Sequence, residues 1–141
     1  MKTEVRYYTR SGNAKKLAEA IAGVIGAAAE TVETPLSEPV DLLFLGGAVY
    51  AGNLDSHLKS FAAGLTADKA KAVAVFNSAA GGRSIRPDVA ALITDEGIRI
   101  CEEAFSCKGK FLLANRGKPD AQDCAGAAAF AKKLIGEFAG E

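Results

Sequence analysis

The segment Asp41-Leu-Leu-Phe-Leu-Gly-Gly-Ala-Val-Tyr50 (DLLFLGGAVY) carries four large apolar residues in unbroken succession, Leu42 to Leu45. A strand with one wet face alternates apolar and polar residues; this one does not. Continuous apolarity over a short run means that both faces are covered, which is the pattern of a central strand in a parallel sheet. "KAVAVF", Lys71 to Phe76, repeats the pattern and stops at Asn77.

Outward from these two strands the chain alternates. Thr3–Tyr8 is short, rich in β-formers and ends at a glycine-containing turn, which predicts a first strand. From Ala14 to about Ala28, Leu17, Ile21, Val24, Ile25 and Ala28 recur at helical spacing. A weak, short strand is predicted near Thr31–Thr34, followed by a proline-containing loop. A helix begins near Asp55, with Leu54, Leu58, Phe61, Ala62 and Leu65 on one stripe. A third helix is expected over Pro87–Glu96, because proline is tolerated in a first turn and Gly97 can end it. Ile98 to about Phe105 reads as the last strand. A long connection, Ser106–Pro119, then leads into a final helix opening at Asp120.

Strands alternating with helices imply right-handed crossovers and a parallel sheet. The expectation is one domain over residues 1–141: a three-layer α/β sandwich whose five-stranded parallel sheet has the order 2-1-3-4-5, with a helix on each connection. Ligands of such a sheet sit beyond the carboxyl ends of the strands, where the winding reverses. Three segments are therefore singled out: Thr9–Ala14, Ala48–Asn53 and Asn77–Arg83.

Composition narrows the function. Lys+Arg and Asp+Glu are equal at 17 each, so no basic excess supports nucleic-acid binding. The start, MKTEVRYYTR, has no apolar signal core and no apolar run reaches membrane-spanning length, so the cytoplasm is expected. Cys101, Cys107 and Cys124 lack metal-ligand spacing and read as reduced thiols. His57 has no His or Cys partner at ligand spacing and reads as a solvated helix residue.

In Thr9-Arg-Ser-Gly-Asn-Ala14, the residues Thr9, Ser11 and Asn13 place three short polar side chains along one turn. Gly12 permits a backbone that other residues resist, and the following amides open a helix. Unpaired amides with short donors make a concave anion site suited to a terminal phosphate. Arg10, Lys15 and Lys16 then have an anion to face. The alternative is an ordinary helix N-cap by Ser11 or Asn13. Neither GxxxxGK[ST] nor GxGxxG occurs, so triphosphate hydrolysis and a dinucleotide fingerprint lack support.

"TRSGNA" is similar to the phosphate loop of flavodoxins, T-x-[ST]-G-N-[TS]. "DLLFLGGAVYAGNLDSHLKSFAAGL" resembles that family's third strand, second flavin loop and following helix, and "VAVFNSAAGG" its fourth strand and third loop. "FSCKGKF" and "GKPDAQDCAGAAAFAKKL" resemble the closing segment of small bacterial flavodoxin-domain proteins, so the likeness covers nearly the whole chain. The resemblance implies a flavodoxin-like sandwich, non-covalent FMN binding, and electron transfer between redox partner proteins.

On the same resemblance, the FMN-binding residues are Thr9, Arg10, Ser11, Gly12, Asn13 and Ala14 in the first loop. In the second they are Ala48, Val49, Tyr50, Ala51, Gly52 and Asn53, and in the third Asn77, Ser78, Ala79 and Gly81. Gly46, Gly47 and Gly52 are expected to let backbone approach the flavin edge. Two departures stand out. Ala14 occupies a position usually held by a hydroxyl residue, and the third loop lacks the tyrosine that often covers the ring. Tyr50 is the aromatic residue of the three loops, either as a ring contact or packed beneath its loop. Two further readings compete: a small FMN-dependent NAD(P)H:quinone-type reductase, and a flavodoxin-like domain without flavin. The partners implied are redox proteins, with no nucleic acid and no membrane, and the chain itself is expected to be a monomer or dimer. A phosphorylation receiver is excluded, because Tyr7-Tyr8-Thr9 and Gly46-Gly47 stand where it needs acidic residues.

Overall fold

A computed structural model describes residues 1–50, 52–110 and 115–140. The chain runs β1 (Thr3–Tyr7), α1 (Asn13–Ile25), β2 (Ala29–Thr31), β3 (Leu42–Tyr50), β4 (Asn53–Leu54), α2 (Ser56–Ala63), β5 (Ala72–Ala79), α3 (Arg86–Leu92), β6 (Arg99–Ile100), β7 (Phe105–Lys108) and α4 (Ala121–Ala139). The parallel sheet has the order β2-β1-β3-β5-β6, with β7 continuing the β6 lane along β5. Lane by lane this is the expected 2-1-3-4-5 order.

The two inner strands carry the core because their side chains divide strictly between faces. Leu42 and Phe44 of β3, with Ala72, Ala74 and Phe76 of β5, point to the layer made by α1 and α4. Leu43, Leu45, Val73 and Val75 point to the layer made by α2 and α3. Phe44 and Phe76 are fully buried. Burying a side chain of this size contributes about 1.5–3 kcal/mol relative to leaving it in water.

Local chemistry sets the helix ends. Gly26 closes α1 in the left-handed conformation, φ 73°, three residues before the expected end. The Asp55 carboxylate caps α2 by accepting from the His57 amide at 2.8 Å. Asp120 and Asp123 form a reciprocal capping box at the start of α4.

Several expectations are corrected. Strand β5 runs through Asn77 to Ala79 rather than stopping at Phe76. Helix α3 ends at Leu92, short of Gly97. The last lane is split: between the pairs Val73↔Ile100 and Phe76↔Phe105, two residues of β5 face four of the partner, so the ladder opens at 101–104. Because β7 takes up Phe105–Lys108, the long connection begins at Gly109. The connection from β2 to β3, residues 32–41, has no helix. It is held from beneath by Arg6, only 3% exposed, which donates to the Thr34 and Pro35 carbonyls at 2.8 and 3.2 Å. Gly46 and Gly47 serve the core rather than a ligand edge. A Cβ on Gly46 would lie 2.2 Å from the Phe76 ring, and one on Gly47 would lie 2.6 Å from Leu58.

Candidate functional site

A cavity of about 540 Å³ lies beyond the carboxyl ends of β1, β3, β5 and β7. That is within the ~300–1,000 Å³ range of small-molecule sites. Arg10, Ser11 and Asn13 form one side, Ala48, Val49 and Tyr50 the second, Ser78, Ala79 and Ala80 the third, and Gly109 and Lys110 the fourth.

The first side is the start of α1. Gly12 is the N-cap at φ 87°, in the left-handed region, and no side chain caps the helix. Neither Ser11 nor Asn13 acts as a cap, which removes the ordinary alternative for this turn. Thr9 Oγ1 accepts from the Gly12 amide at 3.0 Å and bends the loop. Asn13 instead donates from Nδ2 to the Lys110 carbonyl at 3.1 Å, tying the turn to the fourth wall across 97 positions of sequence. The backbone N–H groups of Ser11, Asn13, Ala14 and Lys15 have no acceptor among the described residues. The first turn contains no acidic residue, so nothing in the helix's own sequence answers the positive end of its dipole. Ala14 has a fully buried side chain, so its amide is what it offers the cavity.

Arg10 and Tyr50 join the first two walls. The Arg10 amide donates to the Tyr50 hydroxyl at 2.6 Å, and the Arg10 guanidinium lies 4.5 Å from the Tyr50 ring centre. Tyr50 therefore lines the cavity and also braces the loop. Asp55, 5% exposed, accepts from Arg10 Nε at 2.8 Å and Nη2 at 2.7 Å. His57 Nδ1–H donates to the other oxygen at 2.8 Å, and its ring stacks on Tyr8 at 4.5 Å. Burial pushes the Asp55 carboxyl up, but the bonds from the His57 amide, the His57 ring and Arg10 together hold it below its ordinary value. Arg10 thus brings little net charge to the cavity.

Ser78 is the other unmet group. It is fully buried, and its Oγ has no hydrogen-bond partner among the described residues. A Cβ placed on Gly109 would come within 3.1 Å of that oxygen and 2.8 Å of Asn13 Nδ2, so glycine keeps this corner open. A buried hydroxyl without a partner is rare enough to point to a ligand.

The sequence-predicted residues divide. Arg10, Ser11, Asn13, Ala48, Val49, Tyr50, Ser78 and Ala79 line the cavity. Thr9, Gly12 and Ala14 shape the loop behind it. Asn77 does not line it: fully buried, it donates to the Arg83 carbonyl at 2.8 Å and accepts from the Ile85 amide at 3.0 Å, closing the 79–85 loop. Asn53 turns back to pair with Tyr50 in β4, after Gly52 at φ 80°. Gly81 is exposed and off the wall, and Ala51 lies outside the described residues. Ala80 falls in the Asn77–Arg83 segment singled out from the sequence and Gly109 and Lys110 in the long Ser106–Pro119 connection, though none was named as a site residue, and Asp55 was expected only as a helix start. The length of the Ser106–Pro119 connection was the signal for the fourth wall, and an aspartate one residue before a helix the signal for Asp55. Burial pushes the Cys107 thiol up to about 12, which makes it a packing residue.

The order of strands and the cavity at the reversal of winding define an open, doubly wound α/β protein with a cavity at its switch point. No family model and no curated protein matches the sequence. Solved structures do match the fold. Oxidised flavodoxin 2 from Bacillus cereus superposes with a TM-score of 0.69 at 16% identity, over 97% of this chain and 99% of that one. A flavodoxin from the domain Archaea gives 0.70 at 17% identity, over 97% and 98%. The two-electron reduced flavodoxin of Megasphaera elsdenii gives 0.53 at 19% identity, over 91% and 98%. The fold is flavodoxin-like. No helix among the described residues is long and apolar enough to cross a membrane.

Proposed function

We propose that this chain binds FMN non-covalently in the 540 Å³ cavity and serves as an electron carrier between redox partner proteins. The observation that carries the reading is the set of free amides at Ser11, Asn13, Ala14 and Lys15, opening an uncapped helix onto a cavity. These groups suit a phosphate dianion, which meets them with charge-assisted hydrogen bonds. The unpartnered Ser78 hydroxyl adds a donor on the opposite wall.

In this reading the four amides hold the phosphate. Thr9 and Gly12 set their aim, and the Asn13 clamp to Lys110 keeps the turn against the fourth wall. Because Asp55 neutralises Arg10, that guanidinium adds little net charge to the hold on the phosphate. Val49, Tyr50, Ala79 and Ala80 offer the apolar surface against which a ring excludes water. When bound, the flavin supplies one- and two-electron redox chemistry, and the protein supplies position and electrostatics. The cavity has the volume of one cofactor site, and the described residues build no added lobe for a second substrate. That favours electron carriage over a quinone-type reductase.

The test is the visible spectrum of the purified protein before and after adding FMN. Flavin bands that stay with the protein through gel filtration support the reading; no bands and no uptake overturn it.

A further inference from the structure

The chain is neutral as a whole, but its charges are sorted along the strand direction. The loops that follow β1, β3, β5 and β7 toward the cavity, taken with the first turn of the helix each leads into, contain four carboxylates among the described residues: Asp55, Asp88, Asp120 and Asp123. All are engaged, Asp55 by Arg10 at 2.7 Å, Asp88 by Arg83 at 3.0 Å, and Asp120 and Asp123 by Lys118 at 2.8 and 3.5 Å. Against them stand Lys15, Lys16, Lys108, Lys110 and Arg116, all exposed and with no carboxylate partner among the described residues. Glu38, Asp41, Asp68, Asp95 and Glu96 lie in loops at the opposite end of the strands, and Glu33 faces a separate cleft beside His57.

The cations are set around the cavity mouth by the fold. Lys15 and Lys16 occupy the first turn of α1, and Lys110 is on the wall itself. Lys108 pairs with Ala79 in the sheet, its stem 3.6 Å from where a Cβ on Gly82 would lie. The turn bearing Arg116 is pinned beside the mouth by Asn115 Nδ2, which donates to the Ala80 and Gly109 carbonyls at 2.7 and 3.2 Å. Unpaired like charges crowded on one rim repel one another and are relieved by an anionic surface. The rim encircles a mouth rather than forming a track. Tyr50 lines that mouth with Arg10 over one face of its ring, and no second described aromatic joins it there to build a run of stacking platforms for successive bases.

We infer that this basic rim is a docking face for an acidic partner protein, seated over the cavity. The inference rests on the proposed function in naming the partner of that same site, but it is read out separately. The probe is a dye-labelled peptide of about twenty glutamates, followed by fluorescence anisotropy on the purified full chain. It should bind at ~0.01 M salt and release by ~0.5 M, where screening is nearly complete beyond contact distance. A matching poly-lysine peptide should not bind. The double variant Lys108→Glu/Arg116→Glu should weaken poly-glutamate binding at least about tenfold and leave the melting temperature unchanged. Lys69→Glu/Lys132→Glu, at exposed lysines off the rim, should leave binding intact. Binding that ignores the Lys108/Arg116 reversal, or prefers poly-lysine, overturns the inference. Tighter binding of a thymidine 20-mer than of poly-glutamate also overturns it, in favour of a nucleic acid. FMN retention is measured on the same samples: a chain that takes the peptide but no FMN sinks the proposed function and leaves the docking face standing.

Discussion

Replacing Gly12 with valine probes the cradle with little effect on the core. Gly12 sits at φ 87°, and a Cβ there would meet nothing within 4 Å, so the substitution is sterically open but conformationally strained. Forcing an L-residue into the left-handed region costs about 1–2 kcal/mol, with a β-branched side chain at the upper end. For a domain of this size that lowers Tm by roughly 3–8 °C. The loop relieves the strain by turning Gly12 toward negative φ. That breaks the 3.0 Å bond to Thr9 Oγ1 and re-aims the amides that follow. Losing two of the four, each a hydrogen bond to a charged group of about 1.5–3 kcal/mol, removes at least ~3 kcal/mol of binding. In Kd that is about 150-fold or more. The assay is quenching of FMN fluorescence on titration with apoprotein, with thermal melting in parallel; Gly12→Ala should fall between valine and the parent. An unchanged Kd in a valine variant that melts as expected would refute the assigned role of this turn.

The core and the surface give independent checks. Gly46→Ala drives a methyl group to 2.2 Å from the Phe76 ring, an overpacking worth about 3 kcal/mol or more. Chemical denaturation should show that loss, and Phe76→Leu in the same chain should restore part of it as a favourable coupling. Gly23→Ala and Gly136→Ala sit on helices α1 and α4 with open space around the new methyl, so each should raise stability by about 0.5–1 kcal/mol. Because the folded Asp55 carboxyl lies below its ordinary 3.8, its contribution is complete above that value. It is lost as pH falls through the lower folded value. Asp55→Asn should therefore melt lower than the parent near neutrality and converge with it in acid, as a pH series of melting curves would report.

Leu42–Leu45 and Ala72–Phe76 were legible because a strand covered on both faces leaves an unmistakable apolar run. The turn after β1 was legible as a turn because glycine among short polar residues breaks a strand, and Gly12 at φ 87° uses that freedom. What escaped depends on contacts far apart in sequence. Gly46 and Gly47 looked like an approach to a ligand, but their missing side chains make room for Phe76 and Leu58. Asn77, polar at a strand end, looked like a ligand contact, yet both ends of its amide are spent on the loop that follows. Arg10 and Asp55 are 45 positions apart, and no local pattern pairs them. In place of a helix at 32–41 stands a buried arginine that donates to the Thr34 and Pro35 carbonyls and pairs with Glu4 and Glu30, a role no periodicity reports.

The central claim is that the amides beginning at Ser11 hold a phosphoryl group. Amide-proton NMR reads it residue by residue, titrating the labelled protein with FMN and, separately, with riboflavin, which lacks the phosphate. FMN should move the amide protons of Ser11, Asn13, Ala14 and Lys15 strongly downfield, while riboflavin leaves them nearly in place and shifts resonances of the Tyr50 and Ala79 walls. Saturable FMN binding that leaves those four amides unmoved, or no binding of FMN at all, would contradict it.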